Sequence, residues 1–202
     1  MKNFVKWTLL LVLCLPYILP ACKSSKAGES GPYVDIRDSQ QYEEIKIGGQ
    51  VWMARNMNFK TEGGSWCYND NAANCEKYGR LYTWSAAKKA CPEGWHLPSQ
   101  AEWDQLDAAL GMSAGKKIKS ASGWRDGGGG DGSTAFNALP GGDRYDYGGY
   151  GGQGDEAYFW TADAAVDKEC YGRFLTYNSG DIQRGVWFRG GGNAVRCIKD
   201  PE

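Results

Sequence analysis

The sequence predicts a loop-rich α+β domain, and three observations carry that reading. Gly 29, Trp 9 and Tyr 12 against a single His point to many turns and large aromatic anchors rather than to a helical bundle. Short β-prone runs stand at both ends of the domain, with helical patterns between them. A chain of 202 residues that is 42% hydrophobic and 23% charged can bury one ordinary core.

In order along the chain, Tyr42 to Ile47, Gly48-Gly49 and Gln50 to Ala54 predict a hairpin around a Gly-Gly turn. Leu81 to Ala90 predicts a short first helix, with Leu81, Trp84 and Ala87 at helical spacing and Cys91-Pro92 ending it. Ser99-Gln100-Ala101-Glu102 is a capping box. It opens a helix over residues 100–110 whose apolar face carries Trp103, Leu106 and Leu110, and Gly111 stops it. Ser113 to Ser120 adds a brief helix or turn. From Asp126 to Asp155 the chain is Gly-dense and predicts loops pinned by a Phe136/Leu139 plug. Ala157–Thr161, Tyr171–Tyr177, Gly185–Arg189 and Ala194–Lys199 predict four closing strands. There is no internal repeat.

The first residues carry an address. Lys2 and Lys6 precede an apolar run from Trp7 to Leu19, which is the pattern of an export leader. Pro16 and Pro20 interrupt the run, which argues against an uncleaved spanning helix. Leu19-Pro20-Ala21-Cys22 resembles the lipobox of bacterial lipoproteins. That resemblance implies a leader over 1–21, cleavage before Cys22 and lipid on its thiol. Residues 22–35 would then be the lipidated Cys and a polar tether, and 36–202 a single globular domain. Lys23 after the Cys resembles outer-membrane sorting, so the expected place is the outer membrane or cell surface.

Cysteine pairing follows from that compartment. With Cys14 in the leader and Cys22 assigned to lipid, Cys67, Cys75, Cys91, Cys170 and Cys197 remain in an oxidising space. Cys67 and Cys75 flank a turn-prone segment, and a bridge there would contribute about 2–3 kcal/mol. Cys91 with Cys197 would close a loop of about a hundred residues, contributing about 4–5 kcal/mol, which leaves Cys170 free. No Cys-x-x-Cys or Cys/His cluster suggests zinc.

The stretches Gly49 to Asn58, Tyr78 to Trp84 and Ala90 to Trp103 together resemble the Fibrobacter succinogenes major paralogous domain family, over about Tyr42 to Lys199. Gly94 to Trp103 and Ala194-Val195-Arg196-Cys197 also resemble, more distantly, the formylglycine-generating sulfatase-modifying family. That second resemblance implies a C-type-lectin-like fold with two short helices, small twisted antiparallel sheets and a long Gly-rich loop region. It also supports the Cys91–Cys197 pairing.

Chemistry is sparse by comparison. Net charge is -1, and about -3 without Lys2 and Lys6, so no basic field for nucleic acid exists. Relatives of the formylglycine type imply copper held by two cysteines, but Cys170 has no second Cys close by in sequence and a shared fold does not carry function. His96 lacks an acid partner by spacing and reads as a packed or hydrogen-bonded residue. No catalytic residue and no enzyme activity is therefore expected. The aromatic residues Tyr145, Tyr147 and Tyr150, with Trp124 and Trp187, predict a face for a glycan or a surface protein, since flat rings stack on sugars. Asp126, Asp131, Asp143 and Asp146, with Asp155 and Glu156 in the same loops, make calcium a candidate ligand without EF-hand spacing. A purely structural envelope role is the remaining alternative.

Overall fold

The computed structural model describes residues 31–201; the expected leader, Cys22 and the tether as far as residue 30 lie outside the described residues. In chain order the elements are β1 (Tyr33–Val34), β2 (Gln41–Tyr42), β3 (Glu44–Ile47), β4 (Gln50–Met53), β5 (Ser65–Trp66), α1 (Ala72–Tyr78), β6 (Leu81–Tyr82), α2 (Trp84–Ala87), β7 (Trp95–His96), α3 (Gln100–Leu110), α4 (Ala114–Ile118), β8 (Gly141–Arg144), β9 (Tyr150–Gln153), β10 (Glu156–Ala164), β11 (Glu169–Thr176), β12 (Gln183–Phe188) and β13 (Ile198–Lys199). Helices and sheets are mixed, as an α+β chain requires.

The larger sheet has five strands in the order β12-β11-β10-β8-β9. It is antiparallel except where β8 runs parallel to β10 at Gly142 and Ala157. The smaller sheet, β3-β4-β13-β7, brings the last strand of the chain between two early ones. Its β3–β4 hairpin turns at Gly48-Gly49 as the sequence predicts, and Gly48 takes the positive φ of 59° that this turn needs.

Helix α3 runs over the predicted residues. Ser99 Oγ accepts from the Glu102 amide at 3.2 Å, while Glu102 Oε2 accepts from the Ser99 amide at 2.7 Å, closing the capping box. The first helix differs from expectation. Thr83 caps the chain at its side-chain oxygen, so α2 begins at Trp84 and ends at Ala87. Leu81 and Tyr82 pair instead with Trp66 and Ser65 in an antiparallel ladder. There are also four α-helices among the described residues rather than two, because Asn71 caps α1 inside the segment expected as a turn. The Gly-dense stretch is likewise more ordered than loops: β8 and β9 form a hairpin within it. Glycine is required there, since a Cβ on Gly142 would lie 2.1 Å from the Gly151 carbonyl oxygen.

The core between the two sheets is aromatic. Trp52, Trp103, Phe136 and Phe159 are fully buried with ring centroids 5.1–6.4 Å apart. Phe136 thus plugs the core as predicted, whereas Leu139 is only half-buried. In the same core Arg196 is buried without a carboxylate. Its guanidinium lies 4.2 Å from the Phe136 ring centroid and donates to Asn56 Oδ1, Met53 O and Phe136 O. Burial lowers its pKa to about 9.

Two disulfides stitch the chain, Cys67–Cys75 and Cys91–Cys197, with Cα separations of 4.8 and 5.8 Å. Both pairings are those expected from the sequence, and Cys170 is free and buried.

Candidate functional site

Side chains alternate across β10, β11 and β12, so the larger sheet has two unlike faces. One face turns Phe159 and Leu175 into the core and Arg173 towards α3, where Arg173 and Arg184 share Asp104 at 2.5 and 2.7 Å. The opposite face presents Tyr158, Phe174 and Trp187. Tyr158 stacks on Phe174 with centroids 5.9 Å apart, and both meet Trp187 edge-on at 5.4 and 5.7 Å. The Trp187 ring is laid down by glycine. Gly172 and Gly185 are cross-strand partners, and a Cβ on either would lie 2.8 or 2.4 Å from the indole.

The turn of the β8–β9 hairpin adds two more rings beside Trp187. Tyr145 and Tyr147 stack with centroids 5.3 Å apart, and Tyr147 is 83% exposed. Together with Asp143, Trp187, Phe188 and Asn193 these residues line a cleft of about 230 Å³. Larger hollows beside Phe59 and beside Val166 each have a single aromatic ring in their lining.

Electrostatically the cleft sets two carboxylates, Asp143 and Asp146, against one arginine, Arg144. Burial first, and then the charge of Glu156, raise Asp143 to about 6. Glu156 accepts a 2.5 Å hydrogen bond from the Tyr158 hydroxyl, and burial with that bond pushes the phenol well above its usual range. Arg144 does not compensate Asp143, because its guanidinium lies 4.0 Å over the Trp66 ring. Asn193 is 1% exposed and its Nδ2 has no hydrogen-bond partner.

The structure thus brings together Tyr145, Tyr147 and Trp187 of the five aromatic residues expected at a ligand face. Tyr150 stands beside them but turns to Tyr68 and donates to Asp70 Oδ1 at 2.8 Å, outside the cleft lining. Trp124 is a correction. It is buried, donates to Ser120 Oγ at 3.0 Å and lies 5.0 Å under the ammonium of Lys119, so it packs a loop and faces no ligand. Tyr158, Phe174 and Asn193 were not anticipated; period-two alternation in β10 and β11 was the available signal for the first two.

The acidic residues also need correction. Among the described residues no three His, Cys, Asp or Glu side chains are grouped to hold a metal ion. Asp126 is exposed in a tight turn, Asp131 caps the Ser133 amide, Asp155 pairs with Arg125, and of the six only Asp143 and the exposed Asp146 line the cleft. Cys170 is fully buried and burial raises its thiol pKa against the opposing charge of Arg189. The four other cysteines among the described residues are in disulfides, so no pair of thiols is assembled around it. Cys22 lies outside the described residues.

His96 has acid partners that spacing did not reveal. Its Nε2 is 2.8 Å from Glu102 and its Nδ1 2.6 Å from Asp200.

Fold and cleft together define a disulfide-stitched α+β domain that exposes an aromatic surface on one sheet. The Fibrobacter succinogenes major domain family matches residues 45–199, and the chain belongs to that family. No curated protein and no solved structure matches the chain.

Proposed function

We propose that the chain is an exported lipoprotein, anchored through Cys22 at the outer membrane or cell surface, whose domain is a non-catalytic module binding glycans on its aromatic face. The observation that carries this reading is the set of five rings, Tyr145, Tyr147, Tyr158, Phe174 and Trp187, gathered on the sheet face turned away from α3. Isolated exposed apolar residues are ordinary, but rings grouped around an acidic cleft suit a ligand with an apolar face and polar edges. The anchor rests on the cationic and apolar leader and the lipobox-like residues before Cys22.

The finer fold reading is C-type-lectin-like. It is supported by the pairing of β13 with β4, by the disulfide from the α2 region to the last strand, and by the long glycine-bearing hairpin between helices and closing strands.

A glycan array probed with the full chain tests the binding role. Retention that falls when Tyr145 and Tyr147 are both replaced by Ala supports it, and retention of no glycan by the unmodified chain refutes it in favour of a protein ligand or a structural envelope role. Mass spectrometry of the protein taken from its membrane tests the anchor: an acylated N-terminal Cys22 supports it, and an intact Met1 overturns it.

A further inference from the structure

The cleft beside Tyr145 holds two polar groups with opposite needs. Arg144 and Gly192 exchange backbone hydrogen bonds of 2.8 and 2.7 Å across neighbouring strands. One residue along on each side stand Asp143 and Asn193, and both line the cleft. Apart from its own backbone amide, Asp143 has no donor among the described residues, so its carboxylate is open to one from a ligand. Asn193 is clamped by Tyr82, whose amide donates to its carbonyl at 2.8 Å and whose carbonyl accepts from its amide at 3.1 Å. Its Nδ2 is a buried donor without an acceptor. A ligand that supplies the acceptor relieves the desolvation of that unpaired donor.

The two needs together select a ligand chemistry. A cation would satisfy Asp143 and confront the amide donor of Asn193. An anion would satisfy Asn193 but meet Asp143 and Asp146, and Arg144, the one cation in the lining, has its guanidinium over the Trp66 ring. A group that offers a donor and an acceptor side by side satisfies both, and neighbouring hydroxyls on a sugar ring are such a group. The exposed Tyr147 and the glycine-seated Trp187 supply flat apolar surface on the same cleft. Its volume, about 230 Å³, falls below the roughly 300 Å³ at which pockets for drug-sized ligands begin and suits a single ring.

We propose that this cleft seats one ring of a neutral sugar, one hydroxyl donating to Asp143 and its neighbour accepting from Asn193, with the ring's apolar face against Tyr147 and Trp187. The inference rests on the glycan-binding reading above and narrows it to uncharged sugars and to these two polar residues. Asp143 carries the recognition at a cost to the fold, since burial beside Glu156 disfavours its charged form.

The test is an array of neutral, amino and acidic glycans probed with the full chain and with Asp143→Asn, Asn193→Ala and Tyr147→Ala. Melting of each variant is followed at pH 7. Neutral glycans are retained by the unmodified chain, and retention falls at least ten-fold in each variant. Asp143→Asn also melts higher than the unmodified chain, so its loss of binding is not a loss of fold, and it serves if Asn193→Ala folds poorly. Retention lost with Tyr147→Ala but unchanged with Asp143→Asn overturns the inference and leaves the aromatic-face reading intact. Retention of charged glycans alone does the same. Retention of nothing by the unmodified chain overturns both.

Discussion

His96 Nε2 lies 2.8 Å from Oε1 of Glu102, the residue whose other carboxylate oxygen caps helix α3, while its Nδ1 reaches Asp200 near the chain end at 2.6 Å. Burial lowers the imidazole pKa, but the hydrogen bonds to the two carboxylates outweigh it and leave it raised above 6.5. Burial raises Glu102, and the hydrogen bonds from Ser99 and His96 outweigh it and leave it below 4.5. The His96 contribution to stability is therefore complete below its unfolded pKa and is lost as pH rises through the folded one. The Glu102 contribution is complete above its unfolded pKa and is lost as pH falls through the folded one. Thermal melting of the domain across pH 4 to 9 has its electrostatic optimum in the interval between about 4.5 and 6.5. His96→Gln flattens the alkaline limb. Because both side chains are partly exposed, the difference stays below about 1 kcal/mol.

Arg196 is the reverse case, a fully buried cation. Removing it strands Asn56 Oδ1 and the carbonyls of Met53 and Phe136 away from water. Arg196→Ala lowers the urea-unfolding free energy by about 3–5 kcal/mol, and Arg196→Lys lowers it by less, since an ammonium cannot reach three acceptors with a planar fork.

Reduction separates the two disulfides by loop length. Cys91 and Cys197 close 106 residues and Cys67 and Cys75 close 8. The double replacement Cys91→Ser with Cys197→Ser costs about 4–5 kcal/mol in denaturant titration, and Cys67→Ser with Cys75→Ser about 2–3 kcal/mol.

Gly185→Ala places a methyl group within 2.4 Å of the Trp187 ring and must lift the indole from its seat. The expected signature is a red-shifted tryptophan emission and weaker glycan retention, with the melting midpoint lowered by only about 2–4 °C, equivalent to roughly 1 kcal/mol. An unchanged emission spectrum contradicts the seating.

Calcium leaves the melting midpoint where a chelator leaves it, because Asp126, Asp131, Asp143 and Asp146 are not gathered into one set of ligands. A midpoint that rises with calcium would show a site that these carboxylates do not form.

What could be read from the sequence is local, and what could not is long-range. Ser99 and Glu102 are three residues apart, and a capping box announces itself at that distance. The β3–β4 turn and the Cys67–Cys75 bridge are local in the same way. Leu81, Trp84 and Ala87 share a helical period, yet the ladder that claims Leu81 comes from Ser65–Trp66, outside any local window. Helix α1 was hidden because Asn71 belongs to a run of Asn and Asp that suits a turn as well as a cap. At the cleft, alternation could have placed Tyr158 and Phe174 on the face of Trp187. No pattern places Asn193 beside Asp143, fifty residues earlier, because only the Arg144–Gly192 pairing brings them together. Trp124 misled for a related reason: a large aromatic near glycines looks exposed until the buried ammonium of Lys119 is found above it.

The last strand, β13, lies between β4 and β7, and the residues just before it supply both Arg196 and Cys197. Until residues 196–199 are in place the sheet lacks an interior strand, its inner rings lack the cation that ties them, and Cys91 lacks its partner. Closure of the domain therefore waits on contacts between residues far apart in the chain, whatever the hairpins and helices have formed locally before it.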